Sequence, residues 1–151
     1  MDLKTLFALA LQDFRVKAGD IIRILSNDDI SGISTIADIK ELLAKSGIEQ
    51  CFPPEKSWNF ALDIDEKNSK YGIESYSIFS TGYPVHLRAI DNPPVVLHVR
   101  GSAEILQAIK GVAIVGSRKT SKAGEIIAER IAGQAVTNGW IVVSGLALGI
   151  D

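Results

Sequence analysis

The sequence has almost no cysteine. Its single thiol, Cys51, cannot form an internal disulfide, and it lacks the CxxC spacing and the neighbouring histidines of a zinc site. So little cysteine is typical of a reducing compartment, and we therefore expect a cytoplasmic protein.

Long apolar runs are also missing. No segment approaches the roughly 18 unbroken apolar residues that span a bilayer, so we expect a soluble protein with no membrane partner. The apolar run Leu6–Leu11 follows Lys4 and imitates a signal peptide, but it leads directly into polar Gln12 and Asp13. We interpret this run as part of a helix that faces a core.

The chain has no overall excess of basic charge, because its net charge is −2. This value argues against a surface that attracts nucleic acid everywhere. The charges are nevertheless segregated, since residues 100–122 hold five basic side chains and one acidic side chain, Glu104. Any binding of a polyanion is therefore predicted to be local. The five basic residues are Arg100, Lys110, Arg118, Lys119 and Lys122.

The sequence lacks the usual signatures of catalysis and metal binding. His86 and His98 stand without a carboxylate or cysteine cluster nearby in sequence. The acidic stretch 63–66 lacks the glycine and the ligand spacing of an EF-hand. Ser144 is not a nucleophile elbow, since Val142 stands where the GxSxG pattern requires glycine. We predict a protein that is not an enzyme and that needs no metal or cofactor.

Residues 1–70 are predicted to form a small helical domain. Apolar side chains recur at helical spacing in residues 3–14 and again in residues 21–25. The prolines of the Phe52-Pro53-Pro54 segment predict a break in the helical pattern. The last predicted helix runs from about Glu55 to Lys70, with Trp58, Ala61 and Leu62 on its buried side.

Residues 71–151 are predicted to form the first half of a Rossmann-like domain. Val112–Val115 is short and wholly apolar, as expected of a strand buried on both faces of a parallel sheet. A helix capped by Ser121 and a second strand, Trp140–Val143, complete a βαβ unit. The predicted fold class is α/β, an incomplete Rossmann-like parallel sheet preceded by a small helical N-terminal domain. The side of the helix predicted to face the core carries Ala123, Ile126, Ile127, Ile131, Ala135 and Val136.

Two polar turns follow these predicted strands. The first is Gly116-Ser117-Arg118 and the second spans residues 144–151, at the edge of an open α/β sheet where ligands generally bind. Glycine lets a phosphate approach main-chain donors, and Arg118 supplies a multi-donor cation. Alternatively, Gly116 only closes a tight turn and Arg118 points into solvent, and the residues alone leave both interpretations open. The GxGxxG and P-loop patterns do not fit.

The two glycine motifs resemble the signature of the DNA-processing protein A (DprA/Smf) family. The motifs are Val112–Arg118 and Val143–Ala147, followed by Gly149–Asp151, and the resemblance covers about residues 71–151. It implies a Rossmann-like domain that binds single-stranded DNA through its phosphates and helps load the RecA recombinase during natural transformation. It also implies a homodimer for full-length members of the family.

The resemblance implies a DNA-binding site at these turns. In the family, the arginine of the Gly-Ser-Arg turn contributes to a basic DNA pocket, and that role carries over to Arg118. Lys119 and Lys122 match the required charge, and a solvated face explains them equally well. The residues predicted to bind nucleic acid or phosphate are Gly116, Ser117, Arg118, Lys119, Ser144, Gly145 and Gly149.

Two other functions stay open. Related Rossmann-like folds with phosphate turns include phosphoribohydrolases, so an enzyme acting on a nucleotide phosphate is the first alternative. Against it, the sequence shows no acidic pair beside a glycine-rich turn. The second alternative is an inactive truncated product, because the family pattern continues past Asp151 into a second half of the sheet.

Overall fold

The protein forms two compact units, Met1–Ala103 (unit 1) and Glu104–Asp151 (unit 2). Their architecture is that of a computed structural model. Cys51 and the start of the predicted break, Phe52 and Pro53, lie outside the residues that it describes. The described residues are 1–27, 30, 36–47 and 54–151.

Unit 1 combines helices with a two-stranded sheet. The described part of residues 1–70 is helical, as the sequence predicts. None of the helices in the described ranges is long and apolar enough to cross a membrane. The elements are α1 (Leu3–Asp13), α2 (Ala18–Asn27), α3 (Ile36–Lys45), α4 (Pro54–Tyr71), β1 (Ile73–Ser77), α5 (Val85–Arg88) and β2 (Val96–Arg100).

Helix α1 lies at the centre of unit 1. It packs against α2, α4 and both strands, so the consecutive residues 7–11 are all buried. The ring of Phe7 meets the ring of Trp58 edge to face, with 5.1 Å between the centroids. Further buried side chains of the core are Ile21, Ile24, Leu25, Leu42, Leu43 and Val95.

Fewer side chains of helix α4 face this core than the sequence predicts. Ala61 is fully buried and Trp58 is partly buried, but Leu62 is 43% exposed. The predicted burial of Leu62 is wrong because this residue lies about 100° around the helix from Ala61.

The strands of unit 1 explain where the two units divide. Strands β1 and β2 pair antiparallel, with Tyr76 opposite Leu97, and they pack against α1, while β1 also packs against α4. The predicted boundary lies after residue 70, where the helical pattern of the sequence ends. The compact units divide after Ala103, because β1 and β2 pack against helices of unit 1.

Unit 2 contains the predicted βαβ unit. Strands β3 and β4 are parallel neighbours, with Val112 opposite Val142, and the amide of Ile114 continues the ladder to the Val143 carbonyl oxygen at 2.9 Å. The α/β prediction and the incomplete Rossmann-like fold are confirmed. The elements are a 3-10 helix (Ala103–Gln107), which begins on the last residue of unit 1, then β3 (Gly111–Ala113), α6 (Lys122–Thr137) and β4 (Ile141–Val143).

Burial in unit 2 differs from the sequence prediction. Ala128 and Ala132 of α6 line a hollow together with Ile114 and Val142. Most of the apolar side chains predicted to face a core are instead exposed, because no described element of unit 2 covers that side of α6, and a single helix covers only one face of the two-stranded sheet. The predicted burial of β3 on both faces is wrong for the same reason. The exposed residues include Ala113, Val115, Ala123, Ile126 (60%), Ile127 (59%), Ile131 (49%), Val136 and Val143.

Helix α6 begins at a capped N-terminus, as predicted. The Ser121 hydroxyl accepts a hydrogen bond from the amide of Gly124 at 3.1 Å. We expect Ser121→Ala to destabilise unit 2 by about 1 kcal/mol, because an amide of the first turn loses its acceptor. Urea unfolding followed by amide NMR signals of α6 measures this loss. Ser121→Asp keeps an acceptor and is the control, so an equal loss in both variants would contradict the capping role.

Candidate phosphate-binding site

The two predicted turns meet at one edge of the unit 2 sheet. Because β3 and β4 are parallel neighbours, their carboxyl ends lie side by side. The first turn, residues 116–120, follows β3, and the second turn, residues 144–151, follows β4. The amide of Ile150 donates a hydrogen bond to the Ser117 carbonyl oxygen at 3.3 Å. The turns are therefore in direct main-chain contact.

Glycine is required where the turns touch. Gly149 has a φ of +111°, and a Cβ at this position would overlap the Ser117 carbonyl oxygen and lie 2.8 Å from the Arg118 Cα. A Cβ at Gly116 would lie 2.6 Å from the Ile150 Cβ. Side chains at either position would push the turns apart, since real Cβ atoms do not approach so closely.

An acidic side chain also joins the turns. The amide of Gly116 donates a hydrogen bond to Asp151 Oδ1 at 2.9 Å. The other oxygen, Oδ2, lies 3.0 Å from the position that a Cβ at Gly145 would take. Asp151 is part of a family motif in the sequence, but it was not among the predicted site residues. The motif Gly149-Ile150-Asp151 was the available signal.

The serine hydroxyls of the site hold the turns in shape. The Ser117 hydroxyl bonds the main chain of Lys119, with its oxygen 2.9 Å from the carbonyl oxygen and 3.1 Å from the amide nitrogen. The Ser144 hydroxyl accepts a hydrogen bond from the amide of Leu146 at 3.2 Å. Serine at both positions suits the short local bonds that such turns use.

The predicted cations stand apart from the hollow beside these turns. Arg118 and Lys119 are exposed and are not among the residues that line it. Within the described ranges, neither side chain forms an ion pair. Both charges are therefore available to an anion at the surface of the first turn.

The hollow itself is lined by acidic and apolar side chains. Its volume is about 420 Å³, and it includes two predicted site residues, Ser144 and Gly149. The sequence shows no acidic pair beside a glycine-rich turn. The fold nevertheless brings three carboxylates to this hollow, those of Glu125 and Glu129 from α6 and that of Asp151 from the second turn. The remaining lining residues are Ile114, Glu125, Ala128, Glu129, Ala132, Val142, Ile150 and Asp151.

A second polar cluster lies in unit 1. Ser75 and His98 face each other across β1 and β2, with 2.9 Å between Ser75 Oγ and His98 Nδ1. The side-chain nitrogen of Asn68 lies 3.0 Å from the same Nδ1. Both neighbours contact one ring nitrogen, whereas a catalytic triad uses both. Among the described residues, no group of three His, Cys, Asp or Glu side chains is arranged to hold a metal ion.

Comparison with known proteins identifies relatives of the chain. The family model described as DNA recombination-mediator protein A matches residues 74–151. The DNA processing protein DprA of Bacillus subtilis is 33% identical over 113 residues, which cover 75% of this chain and 36% of that protein. The DprA protein of Streptococcus pneumoniae is 43% identical over 77 residues, which cover 51% of this chain and 27% of that protein.

A solved structure extends this similarity to the whole chain. The X-ray structure of DprA from Streptococcus pneumoniae superposes with a TM-score of 0.64 at 30% identity, covering 100% of this chain and 52% of that one. The chain spans about a third or less of the length of the curated relatives it matches. The predicted resemblance is confirmed, and the chain belongs to the DNA recombination-mediator protein A (DprA/Smf) family.

Proposed function

We propose that unit 2 binds single-stranded DNA through its phosphates at the two glycine turns. The main-chain contact between Ile150 and Ser117 carries this proposal, because it makes the turns one continuous surface. Arg118 and Lys119 extend that surface with two exposed cations that no acidic partner neutralises in the described residues. A polynucleotide presents phosphates at successive positions, so it can contact a glycine turn and a cation together.

The same proposal includes the wider role of the family. The relatives are called DNA processing proteins, and the family model is named for recombination mediation. We propose that this protein acts in the cytoplasm without catalysis and delivers single-stranded DNA to a RecA-type recombinase. We also propose a homodimer for the full-length protein. A RecA loading assay on DNA coated with single-strand-binding protein tests the role, and no faster loading would contradict it.

Removing both cations tests DNA binding directly. We expect the double variant Arg118→Ala, Lys119→Ala to bind a 20-nucleotide oligothymidine about tenfold more weakly at physiological salt. Two lost phosphate contacts should also reduce the slope of log affinity against log salt by about 1.4. Fluorescence anisotropy of the labelled oligonucleotide, titrated with the 151-residue chain at several salt concentrations, measures both quantities.

Arg130→Ala is the matched control for this experiment. Arg130 is exposed on α6 of the same unit and does not line the hollow. Its removal lowers the charge of unit 2 without touching either turn, so we expect less than about a twofold change in affinity. Equal effects of the double variant and Arg130→Ala would contradict the assignment of the site.

A second candidate function rests on the acidic side of the hollow. Glu125 and Asp151 line it beside a glycine turn, which suits an enzyme that acts on a nucleoside monophosphate. The exposed cations favour DNA binding, because Arg118 and Lys119 do not line the hollow in which a mononucleotide would bind. Incubation with nucleoside monophosphates separates the two functions, since released base would support the enzyme.

A further inference from the structure

The first main-chain donor of the first turn, the amide of Gly116, is already hydrogen-bonded to a carboxylate. The amide of Gly116 donates to Asp151 Oδ1 at 2.9 Å, the ordinary length of a hydrogen bond to a carboxylate. A phosphate oxygen is an acceptor of the same kind and charge. The position of Oδ1 therefore marks where a ligand oxygen would bind at this amide.

Nothing in the described residues compensates the carboxylate with a full positive charge. Asp151 forms no ion pair there, and the cations that follow Gly116 in the first turn, Arg118 and Lys119, are exposed. Two further acids, Glu125 and Glu129, line the same hollow. An incoming anion must displace Asp151 from the Gly116 amide and then stay close to its charge.

We propose that the Asp151 carboxylate occupies the phosphate position at Gly116 in the ligand-free protein and excludes small anions from the turn. This inference rests on the proposed function, because it takes the turn to be a phosphate site. A single phosphate or a pyrophosphate is repelled by the carboxylate and gains few other contacts that would offset this repulsion. A DNA strand also contacts Arg118 and Lys119, so it stays bound at the turns even while the carboxylate keeps the Gly116 amide. The internal carboxylate thus selects the polymer over its free phosphates.

Asp151→Asn tests this competition because it keeps an oxygen acceptor of the same size and removes its charge. We expect pyrophosphate to bind about fivefold more tightly to this variant, as removal of one like charge at close range predicts. Binding of the oligothymidine should change less than about twofold, because most of its contacts lie elsewhere. The amide signal of Gly116 in NMR titrations of the 151-residue chain reports pyrophosphate binding at this position.

Two further variants make the result unambiguous. Asp151→Ala removes the acceptor as well as the charge, and we expect it to tighten pyrophosphate binding at least as much. Glu104→Gln removes one negative charge from an exposed position of unit 2 outside the hollow, and we expect no more than a twofold change. If Asp151 served only to fasten the turns, Asp151→Asn would leave pyrophosphate binding unchanged and Asp151→Ala would weaken it.

The outcomes separate this inference from the proposed function. Equal pyrophosphate affinities of the wild type and Asp151→Asn overturn the inference, whatever the oligonucleotide does. Tighter pyrophosphate binding at the Gly116 amide supports the inference. If the oligonucleotide then fails to bind either protein, the proposed function is overturned and the competition at Gly116 stands.

Discussion

Gly149→Ala is expected to destabilise unit 2 by about 2–6 kcal/mol. The φ of Gly149 is +111°, and a side chain held there costs about 1–3 kcal/mol of backbone strain. The added Cβ would also overlap the Ser117 carbonyl oxygen, and overpacking of this kind typically costs a further 1–3 kcal/mol or so. Urea unfolding followed by the amide NMR signals of Val112 and Val142 measures the loss in unit 2 itself.

Substitutions at two other glycines of unit 2 separate the backbone strain from the steric overlap. Gly139 has a φ of +74° and nothing within 4 Å of the place where an added Cβ would lie, so Gly139→Ala measures strain alone, about 1–2 kcal/mol. Gly133 lies in α6 with open space around it, and Gly133→Ala should stabilise the helix by about 0.5–1 kcal/mol. A loss at Gly149 no greater than that at Gly139 would show that the two turns do not meet.

Phe7→Ala is expected to destabilise unit 1 by about 3–5 kcal/mol. Phe7 is only 1% exposed, and its removal leaves a cavity between α1 and the helices packed against it. The substitution also removes the edge-to-face contact with Trp58. Urea unfolding followed by tryptophan fluorescence measures the change, because Trp58 contacts the substituted ring directly.

Phe60→Ala is the control for the core substitution. Phe60 is 41% exposed on α4, so the same truncation removes far less buried surface. We expect its effect to stay below about 1 kcal/mol, which is near the range of surface substitutions. Similar losses in the two variants would contradict the central position of α1.

Local pattern was sufficient to predict the elements of the fold. The apolar spacing in residues 3–14 predicted α1, and the apolar runs around residues 112 and 141 predicted β3 and β4. The capping of α6 followed from Ser121 in the same way. These features depend on neighbours in sequence, so the sequence contains the information that determines them.

Burial depends on partners that local pattern does not identify. The isoleucines of α6 recur at helical spacing, but periodicity indicates an apolar side and not what covers it, and Ile127 is exposed. The unit boundary depends on the pairing of β1 with β2 across intervening residues. Such pairing depends on tertiary contacts, which the helical pattern of the sequence does not reveal. The end of that pattern at about residue 70 therefore does not mark the end of unit 1.

The candidate site was predictable in part. Parallel strands imply that the turns after them are neighbours, so the meeting of Gly116, Ser117 and Gly149 followed from topology. The hydrogen bond from Gly116 to Asp151 joins residues 35 positions apart, and no spacing rule predicts it. The approach of Glu125 to the hollow depends likewise on how α6 lies across the sheet.

The bond between the Ile150 amide and the Ser117 carbonyl uses main-chain atoms only. Replacing either side chain leaves both atoms in place, so an alanine scan of residues 117 and 150 reports the loss of side-chain contacts, such as the Ser117 hydroxyl bonds to Lys119, and not the main-chain contact between the turns. Tolerance of substitution at such positions would carry no information about their importance. Intolerance at Gly116 and Gly149, where any added carbon intrudes, is the mutational signature by which this contact would be recognised.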